Sequence, residues 1–65
     1  MDLLELKHYI ENIYEGDLKT DLLKYIGSNE LSEDVDRIMY NDDTISMAFA
    51  LQCAVDQKAE YLLND

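Results

Sequence analysis

The sequence contains no proline and no tryptophan, only two glycines, one cysteine and one histidine. A single cysteine excludes an intrachain disulfide, and one cysteine with one histidine cannot supply the four Cys and His ligands that a structural zinc site usually takes. No stretch approaches the roughly 18 apolar residues of a membrane span, and no basic region followed by an apolar run marks a signal peptide. The residues therefore predict a cytoplasmic protein that folds without disulfide, metal or cofactor.

Basic residues are also scarce. Five Lys and Arg face fifteen Asp and Glu, so the formal net charge of the 65 residues is −10. Binding to a nucleic acid requires Lys and Arg that neutralise phosphates, and an anionic membrane surface attracts the same residues. We therefore expect neither of these partners, whereas a basic protein would be attracted and would associate faster. The apolar fraction of 48% is ordinary for a folded protein, and 65 residues are enough for one domain. With the charge balance and the helical pattern described below, this predicts a single acidic helical domain over residues 1–65.

Apolar residues recur at helical spacing along the chain, and no alternating pattern typical of strands interrupts them. This periodicity predicts helices over residues 2–15, 17–26, 32–40 and 44–63. Gly16 and Gly27 stand where the first two segments should stop. Asp2, Asp17 and Ser32 are suitable N-cap residues. We therefore expect an all-α fold, a compact bundle of three to four helices with a long C-terminal helix.

The fourth segment has the broadest apolar surface. Between Ile45 and Val55 only Ser46 and Gln52 are polar. A helix that is apolar on most sides must be enclosed, either by the other helices or by a second copy of the chain. This pattern predicts a homodimer interface on the fourth helix, formed either by Ile45, Phe49 and Cys53 or by Met47 and Leu51.

The residues that catalysis requires are few and scattered. His8 lies on the polar side of the first segment, and Cys53 lies in an apolar stretch with no base nearby, where a thiol acts as a small hydrophobe. The acids do not have the spacing of a calcium-binding loop, and two glycines do not make a phosphate-binding loop. We therefore predict that the protein is not an enzyme and that it has no catalytic, cofactor-binding or metal-binding residues.

Negative charge is concentrated in the segment 30–43, which holds six acids against one base, Arg37. Tyr40 falls among these acids, and tyrosine combined with desolvated charge is typical of protein interfaces. A solvated helix face would explain the same pattern, so two interpretations of the segment stay open. In the functional interpretation it binds a basic partner through Glu30, Glu33, Asp34, Asp36, Tyr40, Asp42 and Asp43.

Two functions fit these features. In the first, the protein is a small inhibitor or neutraliser that occupies the basic, nucleic-acid-binding surface of a target, with carboxylates where phosphates would lie. The chain is similar in size, charge and helical class to small phage-encoded inhibitors, immunity proteins and antitoxins, without a shared motif. This similarity favours a DNA mimic and leaves both a phage protein and a host regulator open. In the second, it is a structural or regulatory interaction module that homodimerises through its fourth helix, and its acidity keeps it soluble.

Overall fold

The computed structural model describes residues 2–64, and these form four α-helices and no strand. The helices are α1 (Leu3–Ile13), α2 (Gly16–Ile26), α3 (Asn29–Asn41) and α4 (Met47–Leu63). The radius of gyration is 11.3 Å, close to the ~11 Å expected for a compact domain of this length. The predicted all-α bundle is therefore confirmed for this part of the chain. None of its helices is both long enough and apolar enough to cross a lipid bilayer.

The core lies where α2, α3 and α4 meet, and α1 packs on it mainly through α2. Small side chains at Ala50, Ala54 and Ala59 of α4 allow the neighbouring helices to approach closely, and larger aliphatic groups fill the remaining space. Each helix contributes at the spacing of one helical face. The buried apolar residues are Leu6, Ile10, Leu22, Tyr25, Ile26, Leu31, Val35, Ala50, Ala54, Val55 and Ala59.

The first helix begins as predicted and ends earlier. The Asp2 carboxylate accepts a hydrogen bond from the Glu5 backbone N–H at 2.9 Å, so Asp2 is the N-cap. α1 stops at Ile13, and Gly16 is the first residue of α2 rather than the stop of α1. Its φ of +66° is the one positive value among the described residues. This left-handed conformation suits glycine, and it redirects the chain into α2, whose N-cap is Glu15 and not Asp17.

The connection between α2 and α3 is shorter than predicted. Gly27 has a φ of −91°, so it is not left-handed. The backbone N–H groups of Gly27 and Ser28 instead bond back to the carbonyls of Lys24 and Tyr25, at 3.2 and 3.0 Å. This closes α2 within two residues, and α3 begins at Asn29 with Ser28 as its N-cap. The predicted cap, Ser32, therefore lies inside the helix, where the early start places Leu31 in the core.

The fourth helix starts at Met47 and has 17 residues, so its predicted start at residue 44 is wrong. Asp42 ends α3 and accepts hydrogen bonds from the Thr44 N–H at 3.1 Å and the Thr44 hydroxyl at 2.6 Å. Such local side-chain bonds compete with helix formation. Ser46 then caps α4, because its Oγ accepts from the Phe49 N–H at 3.2 Å.

Candidate partner-binding surface

The outer side of α3 carries unpaired negative charge. Glu33 and Asp36 are exposed there, and Tyr40 is 90% exposed, whereas Leu31 and Val35 on the opposite side are buried. Among residues 2–64, the Glu33 and Asp36 carboxylates have no hydrogen-bond or ion-pair partner. These side chains are therefore available for contact with another molecule.

Asp34 has a different environment. Its side chain is 28% exposed, its Oδ2 accepts a hydrogen bond from the Tyr25 hydroxyl at 2.5 Å, and its Oδ1 lies 3.2 Å from Arg37 Nη2. Burial raises the pKa of Tyr25, and the hydrogen bond to the Asp34 carboxylate raises it further. Asp34 was predicted to bind a partner, but much of its side chain is turned toward the protein, because the buried tyrosine needs an acceptor for its hydroxyl. Asp34 holds α2 to α3.

Glu30 is also engaged within the chain. Its Oε2 lies 3.5 Å from Lys58 Nζ of α4, and the same ammonium lies 5.5 Å from the centroid of the Tyr25 ring and 5.2 Å from that of the Tyr61 ring. A cation within about 6 Å of an aromatic face is attracted to it. Lys58 therefore partly neutralises this side of α3, and Glu30 is a weaker candidate for partner binding than Glu33.

Asp42 and Asp43 follow the end of α3, and both are exposed. The hydrogen bonds from Thr44 lower the pKa of Asp42, because they favour the charged carboxylate. Neither residue is near an ion-pair partner within residues 2–64. We call Glu33, Asp36, Tyr40, Asp42 and Asp43 the acidic face; of the seven residues predicted from the sequence, these five are the ones the fold leaves unpaired with a base.

The structure leaves one residue well exposed in each of the two alternative sets predicted for a homodimer interface, Phe49 in the first and Met47 in the second. Ile45 and Leu51 are half-buried and pack against the chain's own core. Met47 and Phe49 are 53% and 54% exposed, but residues two apart on a helix point roughly 200° away from each other. Cys53 is a half-buried free thiol. Between Ile45 and Val55 the apolar surface is thus mostly covered by the other helices, and Met47 and Phe49 are exposed on two different sides.

An apolar groove lies between the N-terminal end of α1, the middle of α3 and the first turns of α4. Its volume is about 420 Å³. Leu31 and Val35 are its buried residues, Leu51 is half-buried, and Leu3 and Met47 are more than half exposed. Its polar lining consists of Asp2, Ser32 and Asp36. The groove therefore borders the acidic face at Asp36.

The sequence did not indicate this groove. Leu3 follows the same apolar helical spacing as the buried Leu6 and Ile10, yet it is itself 57% exposed. Periodicity identifies the apolar side of each helix but does not tell where three such sides leave a gap. The one available signal was the pair Met47 and Leu51, which the pattern of α4 placed on one side.

A second carboxylate with a structural role was also missed. Asp56 of α4 accepts hydrogen bonds from the hydroxyls of Tyr9 and Tyr14, at 3.0 and 2.8 Å. Burial raises the pKa of Tyr9 and raises that of Tyr14 to about 12, and the Asp56 carboxylate contributes to both shifts. Among the described acids, Asp34 and Asp56 are the two that are not exposed. Both therefore serve the fold, and the surface charge comes from the other acids.

The residues most often used in catalysis or metal binding do not form a cluster in the described part of the chain. His8 is exposed, and the Cys53 thiol is half-buried. Within the part of the chain that the structure describes, no group of three or more His, Cys, Asp or Glu side chains is placed to hold a metal ion.

Comparison with protein families, curated proteins and solved structures finds no match to this chain. The function proposed for it depends on its own surface chemistry.

Proposed function

We propose that this protein is a non-catalytic inhibitor that binds the basic, nucleic-acid-binding surface of a target protein and acts there as a nucleic-acid mimic. The observation that supports the proposal is the acidic face, where Glu33 and Asp36 are exposed without a partner beside the exposed Tyr40. A cytoplasmic location and a phage origin belong to the same proposal. They are motivated by the single cysteine and by the small, acidic, helical character of the chain.

The spacing of the charges suits a surface that binds a phosphate backbone. Glu33 and Asp36 are three residues apart on α3, which separates them by about 4.5 Å along the helix axis. A DNA strand presents one negative charge per ~3.4 Å of its axis. Both carboxylates lie on one face of α3, so Lys and Arg residues that bind phosphates can meet the two together. The phenol of Tyr40 adds a large, rigid contact of the kind that often anchors interfaces.

The only base of α3 does not interrupt this surface. Arg37 pairs with Asp34 at 3.2 Å, and both residues line a cleft with Lys58 and Tyr61 of α4. A basic partner would thus meet carboxylates without displacing an existing ion pair from Glu33 or Asp36. Such an interface gains long-range attraction, and its affinity should fall as salt screens the charges.

The test is a double charge reversal, Glu33→Lys with Asp36→Lys, in immobilised protein exposed to a lysate of the native host. Each reversal adds two positive charges, so the net charge changes from −10 to about −6. The control, Glu11→Lys with Glu60→Lys, has the same net charge and changes two exposed acids outside the acidic face. We expect wild type and control to retain the same basic proteins at low salt, with release by duplex DNA or by about 0.5 M salt.

The double reversal should lose those proteins while its circular dichroism spectrum stays helical. Glu33 is the fifth residue of α3, beyond the first turn, so its loss removes little of the favourable interaction with the helix dipole. Equal loss in both variants would show that net charge alone attracts the partner. Retention by the double reversal, or bound proteins that DNA does not displace, would contradict the proposal.

The second candidate function is an interaction module that forms a homodimer through α4. The observation in its favour is the exposure of Phe49, a large apolar side chain, next to the half-buried Cys53. Sedimentation equilibrium at high micromolar concentration would then give twice the chain mass of 7.6 kDa, and Phe49→Gln would return it to that of the monomer. A wild-type protein that sediments as a monomer would eliminate this candidate.

A further inference from the structure

We propose that the groove between α1, α3 and α4 binds one amphipathic helix of the partner, with apolar side chains in the groove and Lys or Arg along both edges of that helix. This inference rests on the proposed function, because it identifies the part of the basic target that the protein holds. It differs from a purely electrostatic contact in requiring the apolar residues Leu3 and Met47.

The groove offers apolar surface that the chain's own fold does not use. Leu3 and Met47 are 57% and 53% exposed at its two sides, with the buried Leu31 and Val35 between them. Exposed apolar residues that gather in one place, rather than singly, mark interaction sites in soluble proteins. The volume of about 420 Å³ is enough for a few anchoring side chains of the size of leucine.

Charge complementarity determines which occupant fits. The ionisable residues of the groove, Asp2 and Asp36, are both acids, and the Glu33 carboxylate lies on the same helix as Asp36. A partner with apolar anchors flanked by Lys and Arg would satisfy both the groove and its edges. A second copy of this chain would bring the same acids to the same place, and like charges across an interface cost free energy.

A helix suits the groove better than an extended peptide does. Extended peptides commonly bind by adding to the edge of a sheet or by placing a proline-rich segment in an aromatic-lined groove. Residues 2–64 contain no strand, and no aromatic residue lines this groove. The walls of the groove are helices, which pack against another helix through anchors at spacings of three and four residues. The partner segment is therefore expected to be a basic amphipathic helix with its apolar side toward Val35 and Leu51.

The probe is a synthetic Leu/Lys peptide of about 18 residues with its leucines on one helical face. Two peptides serve as controls: a scrambled peptide of the same composition, which has the charge without the apolar face, and a peptide with Glu in place of Lys, which has the apolar face without the charge. Affinity is measured by fluorescence anisotropy, and the site is located from backbone amide NMR shifts. We expect the first peptide to bind at least about tenfold more tightly than either control, with shifts concentrated around Leu3, Val35 and Met47.

Two matched variants test the groove itself. Met47→Gln removes an exposed apolar side chain from the groove, and Phe49→Gln removes an equally exposed one from another side of α4. Both side chains lie outside the core and its packed periphery, so both variants should fold. We expect Met47→Gln to weaken binding of the amphipathic peptide about tenfold and Phe49→Gln to change it less than twofold.

The outcomes separate this inference from the function on which it rests. Equal binding of the scrambled and amphipathic peptides, or equal effects of Met47→Gln and Phe49→Gln, would overturn the groove assignment. If Glu33→Lys with Asp36→Lys still abolishes capture of basic proteins in that case, the electrostatic function stands without the groove. Loss of binding through Phe49→Gln alone would instead assign the contact to the other side of α4 and would also overturn the inference.

Discussion

Replacing Asp56 with alanine should destabilise the protein more than any single change on its acidic face. The carboxylate accepts two hydrogen bonds that join α1 to α4, from Tyr9 at 3.0 Å and from Tyr14 at 2.8 Å. A hydrogen bond to a charged group contributes about 1.5–3 kcal/mol. Both tyrosines are half-buried, so water can reach their hydroxyls and replace part of what is lost. We therefore expect Asp56→Ala to lower the free energy of unfolding by about 2–4 kcal/mol.

This loss is large for so short a chain. Stabilities of roughly 0.05–0.15 kcal/mol per residue give about 3–10 kcal/mol for the whole protein. At 4–8 °C per kcal/mol, the melting temperature should fall by about 10–30 °C. Urea and thermal unfolding followed by circular dichroism at 222 nm measure both quantities. The control is Glu60→Ala, one helical turn later and exposed, which should change the free energy by less than about 0.5 kcal/mol.

A double-mutant cycle tests whether the tyrosines are responsible. In a Tyr9→Phe, Tyr14→Phe background the hydroxyls are absent, so Asp56→Ala should cost less than about 1 kcal/mol. An equal cost in both backgrounds would mean that the carboxylate acts in some other way. A cost below about 0.5 kcal/mol in the wild-type background would refute the assignment of a structural role to Asp56.

Two further predictions follow from the same tyrosines and carboxylates. Because the folded state raises the pKa of Tyr14 from 10.0 to about 12, and raises that of Tyr25, the folded chain keeps protons that the unfolded chain releases. The stabilising contribution of Tyr14 is therefore complete below pH 10 and is lost as the pH rises through about 12, and that of Tyr25 changes in the same direction. Urea midpoints that stay constant from pH 10 to 12 would contradict this prediction. On α3, Asp34→Ala leaves the Tyr25 hydroxyl without its acceptor and should cost about 1–3 kcal/mol, whereas Asp36→Ala, two residues along and unpaired, should cost less than about 0.5 kcal/mol. Equal urea midpoints for the two variants would show that the Tyr25 hydrogen bond contributes nothing.

Local features of the sequence were sufficient to predict the class of fold. The apolar periodicity specified four helices, because each helix buries one side and the spacing of apolar residues records which side that is. The cap at Asp2 was also predicted correctly, since it depends on the residue type and its place within one helix. Tyr40, which the sequence placed among the acids, is exposed. The concentration of acids around α3 is likewise a property of the sequence alone.

The exact start and end of each helix were harder to predict from the sequence. Ser32 and Asp43 have good capping chemistry, yet Ser28 and Ser46 occupy the N-cap positions of α3 and α4. Several polar residues near each boundary are competent caps. The choice among them depends on which start buries the right apolar side chains, as the early start of α3 does for Leu31.

What only the tertiary structure decided is how each acid is used. Asp34 and Asp36 look equivalent in the sequence, but Asp34 meets the hydroxyl of Tyr25 and Asp36 borders the groove. The Asp56 carboxylate accepts hydrogen bonds from two tyrosines that are more than forty positions earlier in the chain. The groove itself exists because α1, α3 and α4 leave a gap between their apolar sides. Composition and periodicity describe one helix at a time, whereas hydrogen bonds and grooves between helices depend on how the helices pack.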